Sequence, residues 1–295
     1  MAGVYTLVSA PVEYGTDSSG FWVEYPSGLV DLSRSQHTSE GAAPGNPADE
    51  PILKVGQADI SVDKGRSIRI DTKASAMVII DMQNFFLHPE LRRHPTGLAC
   101  VDSILSVLPI IRSSGIKVLW VNWGLTEHEL QTIPPSLCRS FRKNGHSGGF
   151  GSQLPGKFGR LLMRDEVNSE LYGQLQSEYF KGKAAGTDFW INKNRMSGLW
   201  GYQTALDLYL KENGISTLLF GGVNADQCVL GTVVDAYSRG YDCILVQDAT
   251  ATTSPDGGLS NFIHNTTNSY GYVTDTTRLQ EMKRSNPADI QTCRN

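Results

Sequence analysis

The sequence lacks an excess of charge of either sign. It carries 26 Lys and Arg residues against 30 Asp and Glu residues, which gives a formal net charge of -4. Proteins that bind nucleic acid or an anionic membrane by electrostatic attraction normally present clustered basic residues. We therefore expect neither a nucleic acid nor a membrane as a partner.

Long apolar runs are also missing. No uninterrupted apolar run approaches the ~18 residues that a membrane-spanning helix needs. Residues 1–15 contain no basic segment followed by an apolar one, so we expect no signal peptide. The cysteines are odd in number and irregularly spaced, which is typical of reduced thiols, so we expect a cytoplasmic protein.

The common metal-binding motifs are absent as well, since neither CxxC nor HExxH occurs. The histidines are scattered along the chain. His88 and His94 could contribute to a metal site, but an exposed surface histidine is the simpler interpretation of each. We expect no metal and no cofactor.

The first quarter of the chain differs from the rest. Residues 1–73 predict a β-rich N-terminal appendage, and residues 33–51, rich in Ser, Gly, Ala and Pro, predict a mobile loop. Two hairpins are predicted in this appendage, formed by residues 21–25 with 29–32 and by residues 60–62 with 68–70. The appendage could edge a sheet, cover an active site, mediate assembly or be a passive extension.

Residues 74–295 predict an α/β domain in which strands alternate with helices. The predicted strands are residues 76–80, 116–122, 188–191, 215–220, 243–246 and 270–274. Such alternation favours a parallel sheet with helices on both faces. The long segment 124–159 is rich in Gly, Pro and Ser, and we leave open whether it is a lid.

The stretch around Cys228 organises this domain. An apolar strand and two glycines lead into a helical pattern that begins near Ala225, with Asp226 in its first turn. Cys228 is therefore expected near a helix N-terminus at the carboxyl end of a strand, where parallel sheets bind ligands. A thiol pKa falls toward neutrality in such a place, although a buried structural cysteine is the alternative.

Two further polar residues follow predicted strands. Asp81 comes after the first strand of the domain and Lys193 after the third, so both would share a rim of the sheet with Cys228. A thiol, a carboxylate and an ammonium are suited to covalent acyl transfer, with backbone N–H groups of Asn224 and Cys228 facing the oxyanion. Alternatively, Asp81 is a helix cap or turn former and Lys193 a solvated surface residue.

Four segments together resemble the isochorismatase-like cysteine hydrolases. They are residues 78–86 (VIIDMQNFF), 193–198 (KNRMSG), 221–229 (GGVNADQCV) and 248–251 (DATA), and the resemblance covers about residues 74–282. It implies a three-layer α/β/α fold with a six-stranded parallel sheet, and it places the family's catalytic residues at Asp81, Lys193 and Cys228. It also implies a cis peptide bond between Val223 and Asn224, and a homo-oligomer.

The resemblance also limits the reactions that we expect this protein to catalyse. Cys228 argues against vinyl-ether hydrolysis, because isochorismatases proper lack this cysteine. Residues 123–129 lack the metal cluster of nicotinamidases, and Phe85 replaces a usual acidic residue. The segment after the second strand is more similar to ureidoacrylate and carbamoyl amidohydrolases.

We therefore predict a cysteine-dependent hydrolase that cleaves a C–N bond of a small amide, ureido or carbamoyl substrate. The alternatives are an isochorismatase-like or imide hydrolase, and a catalytically silent binding or assembly protein. The candidate substrate-binding residues are Asn84, Phe86, Trp123, Trp200 and Gln227, although the aromatic ones could be core residues and the amides could satisfy loop backbone.

Overall fold

The computed structural model describes residues 6–35, 50–143 and 148–285, and these residues form two six-stranded sheets. The strands of the larger, parallel sheet are β6 Ser75–Ile80, β7 Lys117–Trp123, β8 Asp188–Lys193, β9 Thr217–Val223, β10 Asp242–Ala251 and β11 Gly271–Thr274. Their order is β11-β10-β9-β6-β7-β8. Residues 76–80 of β6 are a continuous apolar run, as expected for a strand that helices cover on both faces.

Helices pack on both faces of this sheet. Within the described residues they are α1 Asn84–Leu87, α2 Pro95–Ser113, α3 Glu127–Gln131, α4 Pro135–Lys143, α5 Gln174–Ala185, α6 Ala205–Glu212, α7 Leu230–Ser238, α8 Gly258–Asn265 and α9 Thr276–Gln280. Core residues of α2, α5 and α9 belong to the hydrophobic cluster on one face. Those of α6, α7 and α8 belong to the cluster on the other face, so the predicted three-layer α/β/α fold is confirmed.

One helix in the described part of the chain, α2, is long and apolar enough to cross a membrane by length and composition alone. It is instead a helix with one buried face. Ile104, Val107, Leu108 and Ile111 are fully buried against the sheet, while intervening residues are exposed or half-buried. This pattern is the one expected for a helix at the surface of a globular core.

The smaller sheet is formed mainly by the N-terminal residues. Its strands are β1 Val12–Thr16, β2 Gly20–Glu24, β3 Leu29–Asp31, β4 Gln57–Val62, β5 Arg66–Asp71 and β12 Lys283–Arg284, in the order β1-β2-β3-β5-β4-β12. Both predicted hairpins are present, as the antiparallel pairs β2–β3 and β4–β5. β1 and β12 are not predicted by the sequence. Of the predicted mobile loop, residues 36–49 lie outside the described residues.

The two sheets share one hydrophobic core. Ile60, Ile68 and Ile70 of the smaller sheet lie in the same cluster as the α2 face of the larger one. β4 contacts β11 and α9, at the sheet edge farthest from β8. The division of the chain into residues 1–73 and 74–295 stays a prediction.

Asp242, at the amino end of β10, is the polar centre of this junction. Its buried carboxylate accepts hydrogen bonds from Trp22 Nε1 at 2.7 Å, from Arg34 at 2.7 and 2.8 Å, and from Thr217 Oγ1 at 2.7 Å. Four donors therefore converge on one carboxylate, and those of Trp22 and Arg34 lie 220 and 208 positions away in the chain.

Candidate active site

Asp81 directly follows β6 and is fully buried. Its φ of +55° is unusual for a residue other than glycine. The backbone N–H donates to the carbonyl of Val121 at 3.1 Å, and Oδ1 accepts from the N–H of Trp123 at 3.2 Å. Asp81 is therefore neither a helix cap nor a simple turn residue.

Lys193 is the last residue of β8, and its side chain is buried. Nζ lies 2.9 Å from Asp81 Oδ2 and donates to the carbonyls of Arg195 at 3.2 Å and Met196 at 3.1 Å. It also lies 3.9 Å from the centroid of the Trp123 ring, a cation–π distance. The alternative interpretation of Lys193 as a solvated surface residue is therefore wrong.

Cys228 lies beyond the carboxyl end of β9. Gly222 allows this placement because its φ is +111° and a Cβ there would lie 2.0 Å from the carbonyl oxygen of Ile80. The two glycines are thus part of the strand rather than a turn after it. Cys228 is in a π-helical turn, Ala225–Val229, which continues into α7, whereas the sequence predicted a regular helix from Ala225.

The structure brings Cys228, Asp81 and Lys193 together. The Cys228 thiol lies within hydrogen-bonding reach of the Asp81 carboxylate, and Lys193 acts electrostatically on both groups. The pKa of Cys228 is raised to about 12, chiefly by burial; Lys193 lowers it and Asp81 raises it. The predicted fall of this thiol pKa toward neutrality is therefore wrong, because the cysteine is fully desolvated beside a carboxylate.

The same burial acts on the carboxylate. Desolvation raises the pKa of Asp81, although Lys193 and the hydrogen bonds to the carboxylate work in the opposite direction. Because the thiol pKa is raised, the sulfur stays protonated at neutral pH until a base removes its proton, and the Asp81 carboxylate is the neighbouring base. The arrangement therefore suits a base that takes a proton from the thiol only as the sulfur attacks.

Gln83 is a buried residue of this site that was not singled out from the sequence. Its amide nitrogen donates to the carbonyls of Trp123 at 2.7 Å and Ser169 at 2.8 Å, and its oxygen accepts from the N–H of Trp123 at 3.0 Å. It thereby fixes the backbone that also binds Asp81. Its place two residues after Asp81 in segment 78–86 is the signal that could have identified it.

His94 is buried, so its interpretation as an exposed histidine is wrong. Its Nδ1 accepts from the N–H of Gly97 at 2.9 Å, so Nε2 carries the proton and donates to Asn224 Oδ1 at 2.7 Å. The peptide bond between Val223 and Asn224 is cis. Burial lowers the pKa of His94, which keeps the imidazole neutral. His94 is thus a structural link between α2 and the loop before Cys228.

The predicted substrate-binding residues differ in burial and in the contacts that they make. Trp123 is buried beside Lys193, and its side chain acts on the Cys228 thiol, whose pKa it lowers. Phe86 is buried edge-on against Phe85, with 4.9 Å between the ring centroids. Asn84 donates to the carbonyl of Val167 at 2.8 Å, so its amide serves loop backbone. Gln227 is exposed at the surface.

Trp200 is half exposed and lies on the segment that follows Lys193. Its Nε1 donates to Asn194 Oδ1 at 3.0 Å, and Asn194 Nδ2 donates to Glu129 at 2.8 Å. Glu129 closes a capping box at the start of α3. The Trp200 segment is thereby tied to the long connection after β7, which holds α3 and α4.

That long connection also contributes an aromatic cluster. Phe141 of α4 and Phe150 pack on Trp123, with ring centroids 5.3 and 5.1 Å away. Residues 144–147 lie outside the described part. In the described residues there is no group of three or more His, Cys, Asp or Glu side chains that could hold a metal ion.

Comparison with known proteins assigns most of this chain to one known domain family. The family model described as isochorismatase domain matches residues 75–278. The ureidoacrylate amidohydrolase RutB of Caulobacter segnis is 26% identical over 215 residues, covering 71% of this chain and 85% of the relative.

Solved structures show the same likeness. Nicotinamidase PncA from Bacillus subtilis superposes with a TM-score of 0.54 at 25% identity, covering 68% of this chain and 99% of the other. N-carbamoylsarcosine amidase from Thermoplasma acidophilum superposes with a TM-score of 0.50 at 27% identity, covering 68% and 96%. The region matched by the family model contains Asp81, Lys193 and Cys228 and excludes all six strands of the smaller sheet.

Proposed function

Because this chain belongs to the isochorismatase family and is a hydrolase of non-peptide C–N bonds, we propose that Cys228 is its nucleophile. The substrate is a small amide, ureido or carbamoyl compound. The observation that supports this most directly is the buried Asp81–Lys193 ion pair, 2.9 Å long, within reach of the thiol. A buried charge pair beside a buried thiol is costly to maintain and suits proton transfer in acyl chemistry.

The first half of the proposed reaction forms a thioester. Asp81 takes the thiol proton while the sulfur of Cys228 attacks the substrate carbonyl carbon, and the carbonyl oxygen becomes an oxyanion. Backbone N–H groups of Asn224 and Cys228 stabilise that oxyanion. The C–N bond then breaks, the leaving nitrogen takes the proton from Asp81, and the acyl group stays on sulfur.

The second half releases the product. Asp81 takes a proton from a water molecule whose oxygen attacks the thioester carbonyl, and the carbon–sulfur bond breaks as the acid leaves. The proton on Asp81 returns to the sulfur. Lys193 holds the carboxylate in place and stabilises each anionic stage, and the cation–π contact with Trp123 fixes its ammonium.

Replacement of the nucleophile tests this proposal. Cys228→Ala should lower ammonia or amine release from a panel of small amides, ureas and carbamates by at least about 10⁴-fold, because no other group can form the thioester. Mass spectrometry of the wild-type protein during turnover should show an acyl adduct on the peptide that contains Cys228.

The matched control is Cys243→Ala, which removes another buried cysteine, at the amino end of β10. It should keep wild-type turnover, and both variants should keep the wild-type circular dichroism spectrum. If folded Cys228→Ala retained full activity, the proposed mechanism would be wrong. A cytoplasmic location and a homo-oligomeric state stay predictions.

A further inference from the structure

Three oxygen atoms surround the buried ammonium of Lys193. Nζ forms the ion pair with Asp81 Oδ2 at 2.9 Å, and it donates to the carbonyls of Arg195 at 3.2 Å and Met196 at 3.1 Å. A lysine ammonium has three donors, so backbone takes two of them. Because these two carbonyls follow Lys193 directly in the chain, the position of segment 194–196 determines where the ammonium lies relative to Asp81.

Asn194 connects this segment to α3. Its Nδ2 donates to Glu129 Oε1 at 2.8 Å, and its Oδ1 accepts from Trp200 Nε1 at 3.0 Å. An ionised carboxylate only accepts hydrogen bonds and an indole N–H only donates, so these two partners fix the orientation of the amide. The residue that follows Lys193 is therefore held to a helix that lies more than 60 positions earlier in the chain.

Arg195 makes a second connection between the same two parts of the chain. Its guanidinium donates to the carbonyl of Thr132, just after α3, at 2.7 Å and to the carbonyl of Asn194 at 2.7 Å. It also lies 4.8 Å from the centroid of the Trp200 ring, a cation–π distance. Segment 194–196 thus has side-chain contacts to α3 at one side and the Lys193 ammonium at the other.

Glu129 is itself held in place by neighbouring groups. Its Oε2 accepts from the N–H of Thr126 at 2.8 Å, and Arg164 lies 3.2 Å away. Burial acts to raise the pKa of Glu129, but the hydrogen bonds from Thr126 and Asn194 and the charge of Arg164 lower it, so the carboxylate is ionised at neutral pH. An ionised carboxylate is a stronger acceptor for the Asn194 amide than a neutral group would be.

We propose that Asn194 and Glu129 are positioning residues for Lys193: their hydrogen bond holds segment 194–196, whose carbonyls direct the ammonium at Asp81. This inference rests on the proposed function, in which Lys193 stabilises each anionic stage. Both residues act on the reaction through the backbone of the segment. Their loss should therefore slow the chemical step more than it weakens substrate binding, because small displacements of a charged group are costly in rate.

Asn194→Ala tests the inference because it removes only the connecting amide. It should lower kcat on the best substrate of the amide, urea and carbamate panel by about 10- to 100-fold, with KM within about twofold of wild type. Asp81 and Cys228 are the titratable groups that face Lys193. Since Lys193 lowers the pKa of Asp81, a displaced ammonium lowers it less, and the acid limb of the kcat/KM profile should move to higher pH.

The matched control is Thr126→Val, at the start of α3. Thr126 Oγ1 accepts from the N–H of Glu129 at 3.2 Å, so this substitution removes the helix cap, at a cost of about 1 kcal/mol, and keeps Asn194. It should lower the thermal unfolding midpoint and leave kcat and the pH profile as in wild type. Equal losses of kcat in the two variants would overturn the inference, since weakening of α3 would then explain both.

Exchange of the two side-chain groups is a second test. Asn194→Asp alone brings two carboxylates together and should lower kcat at least as much as Asn194→Ala. Adding Glu129→Gln places the amide on α3 and the carboxylate on the segment, so the hydrogen bond forms again with donor and acceptor exchanged. This double variant should recover most of the lost kcat, and a double variant no faster than Asn194→Asp would overturn the inference.

The outcomes separate the two proposals. If Asn194→Ala keeps wild-type kcat, the inference is overturned while the hydrolase function stands. If wild-type protein turns over no compound, the proposed function fails, and crystal structures of the variants decide the inference. Lys193 Nζ should then lose its hydrogen bonds to the carbonyls of Arg195 and Met196 in Asn194→Ala and keep them in Thr126→Val. Unchanged Nζ contacts in Asn194→Ala would overturn the inference.

Discussion

Asp81 and Lys193 form a buried ion pair in which each charge offsets the desolvation cost of the other. Both side chains are almost completely shielded from solvent, and the ammonium also has two backbone carbonyls as acceptors. In such an environment, removing one charge leaves the other buried without compensation. The stability of the protein and its chemistry should therefore depend on the pair in different ways.

A double substitution separates the two roles. Lys193→Met should lower the free energy of unfolding by about 3–5 kcal/mol, because it leaves the Asp81 carboxylate buried and uncompensated. Combining it with Asp81→Asn removes both charges and should restore most of that stability without restoring turnover. Urea unfolding and ammonia release measure the two effects. A double variant no more stable than Lys193→Met would contradict the compensation argument.

For individual residues, the sequence predicted those that belong to recognisable motifs. It did not predict residues whose role depends on a contact with a remote part of the chain. The segments around Asp81, Lys193 and Cys228 identified the three residues that the fold gathers. The raised thiol pKa follows from complete burial, which a position near a helix N-terminus does not reveal. His94 is remote from Asn224 in the chain, so only the tertiary structure pairs them.

Among the elements, the pairing of β6 with β9 determines the position of Cys228, the proposed nucleophile. Gly222 is paired with Ile80 in the register of these two strands. Its positive φ and the close carbonyl leave no room for a side chain. The turn that contains Cys228 follows β9 directly, so the pairing of β6 with β9 fixes where this turn begins.

Gly222→Ala should therefore destabilise the protein by about 3 kcal/mol, from backbone strain and overlap with the Ile80 carbonyl. Gly231→Ala is the matched control in α7, where the nearest heavy atoms to a new Cβ lie 3.8 Å away. It should be neutral or stabilising by up to about 1 kcal/mol, as expected inside a helix. Thermal unfolding measures both changes, and equal effects of the two substitutions would refute the steric argument.

The sequence predicted the six strands of the larger sheet because each carries its own apolar pattern. It missed β1, which is largely exposed, and β12, which is two residues long and exists only through pairing with β4. It also missed the π-helical turn, because five residues are too few to show a period different from that of an α-helix. Short or exposed elements depend on their partners, which a linear pattern does not contain.

For the whole molecule, the shared core makes the smaller sheet a structural part of the enzyme. Asp81, Lys193 and Cys228 lie at the carboxyl ends of the strands, whereas Asp242 lies at the amino end of β10. Substitutions at the junction of the two sheets should therefore change the free energy of unfolding without changing the rate of catalysis.

Asp242→Asn should lower the free energy of unfolding by about 3 kcal/mol, since Arg34 loses a buried counterion. Turnover of the folded protein should be unchanged. Asp63→Asn is the control, because its partner Arg278 is partly exposed and such pairs contribute up to about 1 kcal/mol. Chemical unfolding combined with steady-state rates tests this, and a loss of kcat in Asp242→Asn would show that the two ends of the sheet are coupled.

The pairing of β12 with β4 has a consequence for biosynthesis. A ribosome completes β4 early and Lys283–Arg284 near the end of the described chain, so β4 keeps an open edge during most of translation. Open strand edges recruit other strands. Nascent chains that stop before residue 283 therefore keep an unpaired β4 edge, which can pair with other strands until Lys283–Arg284 cover it.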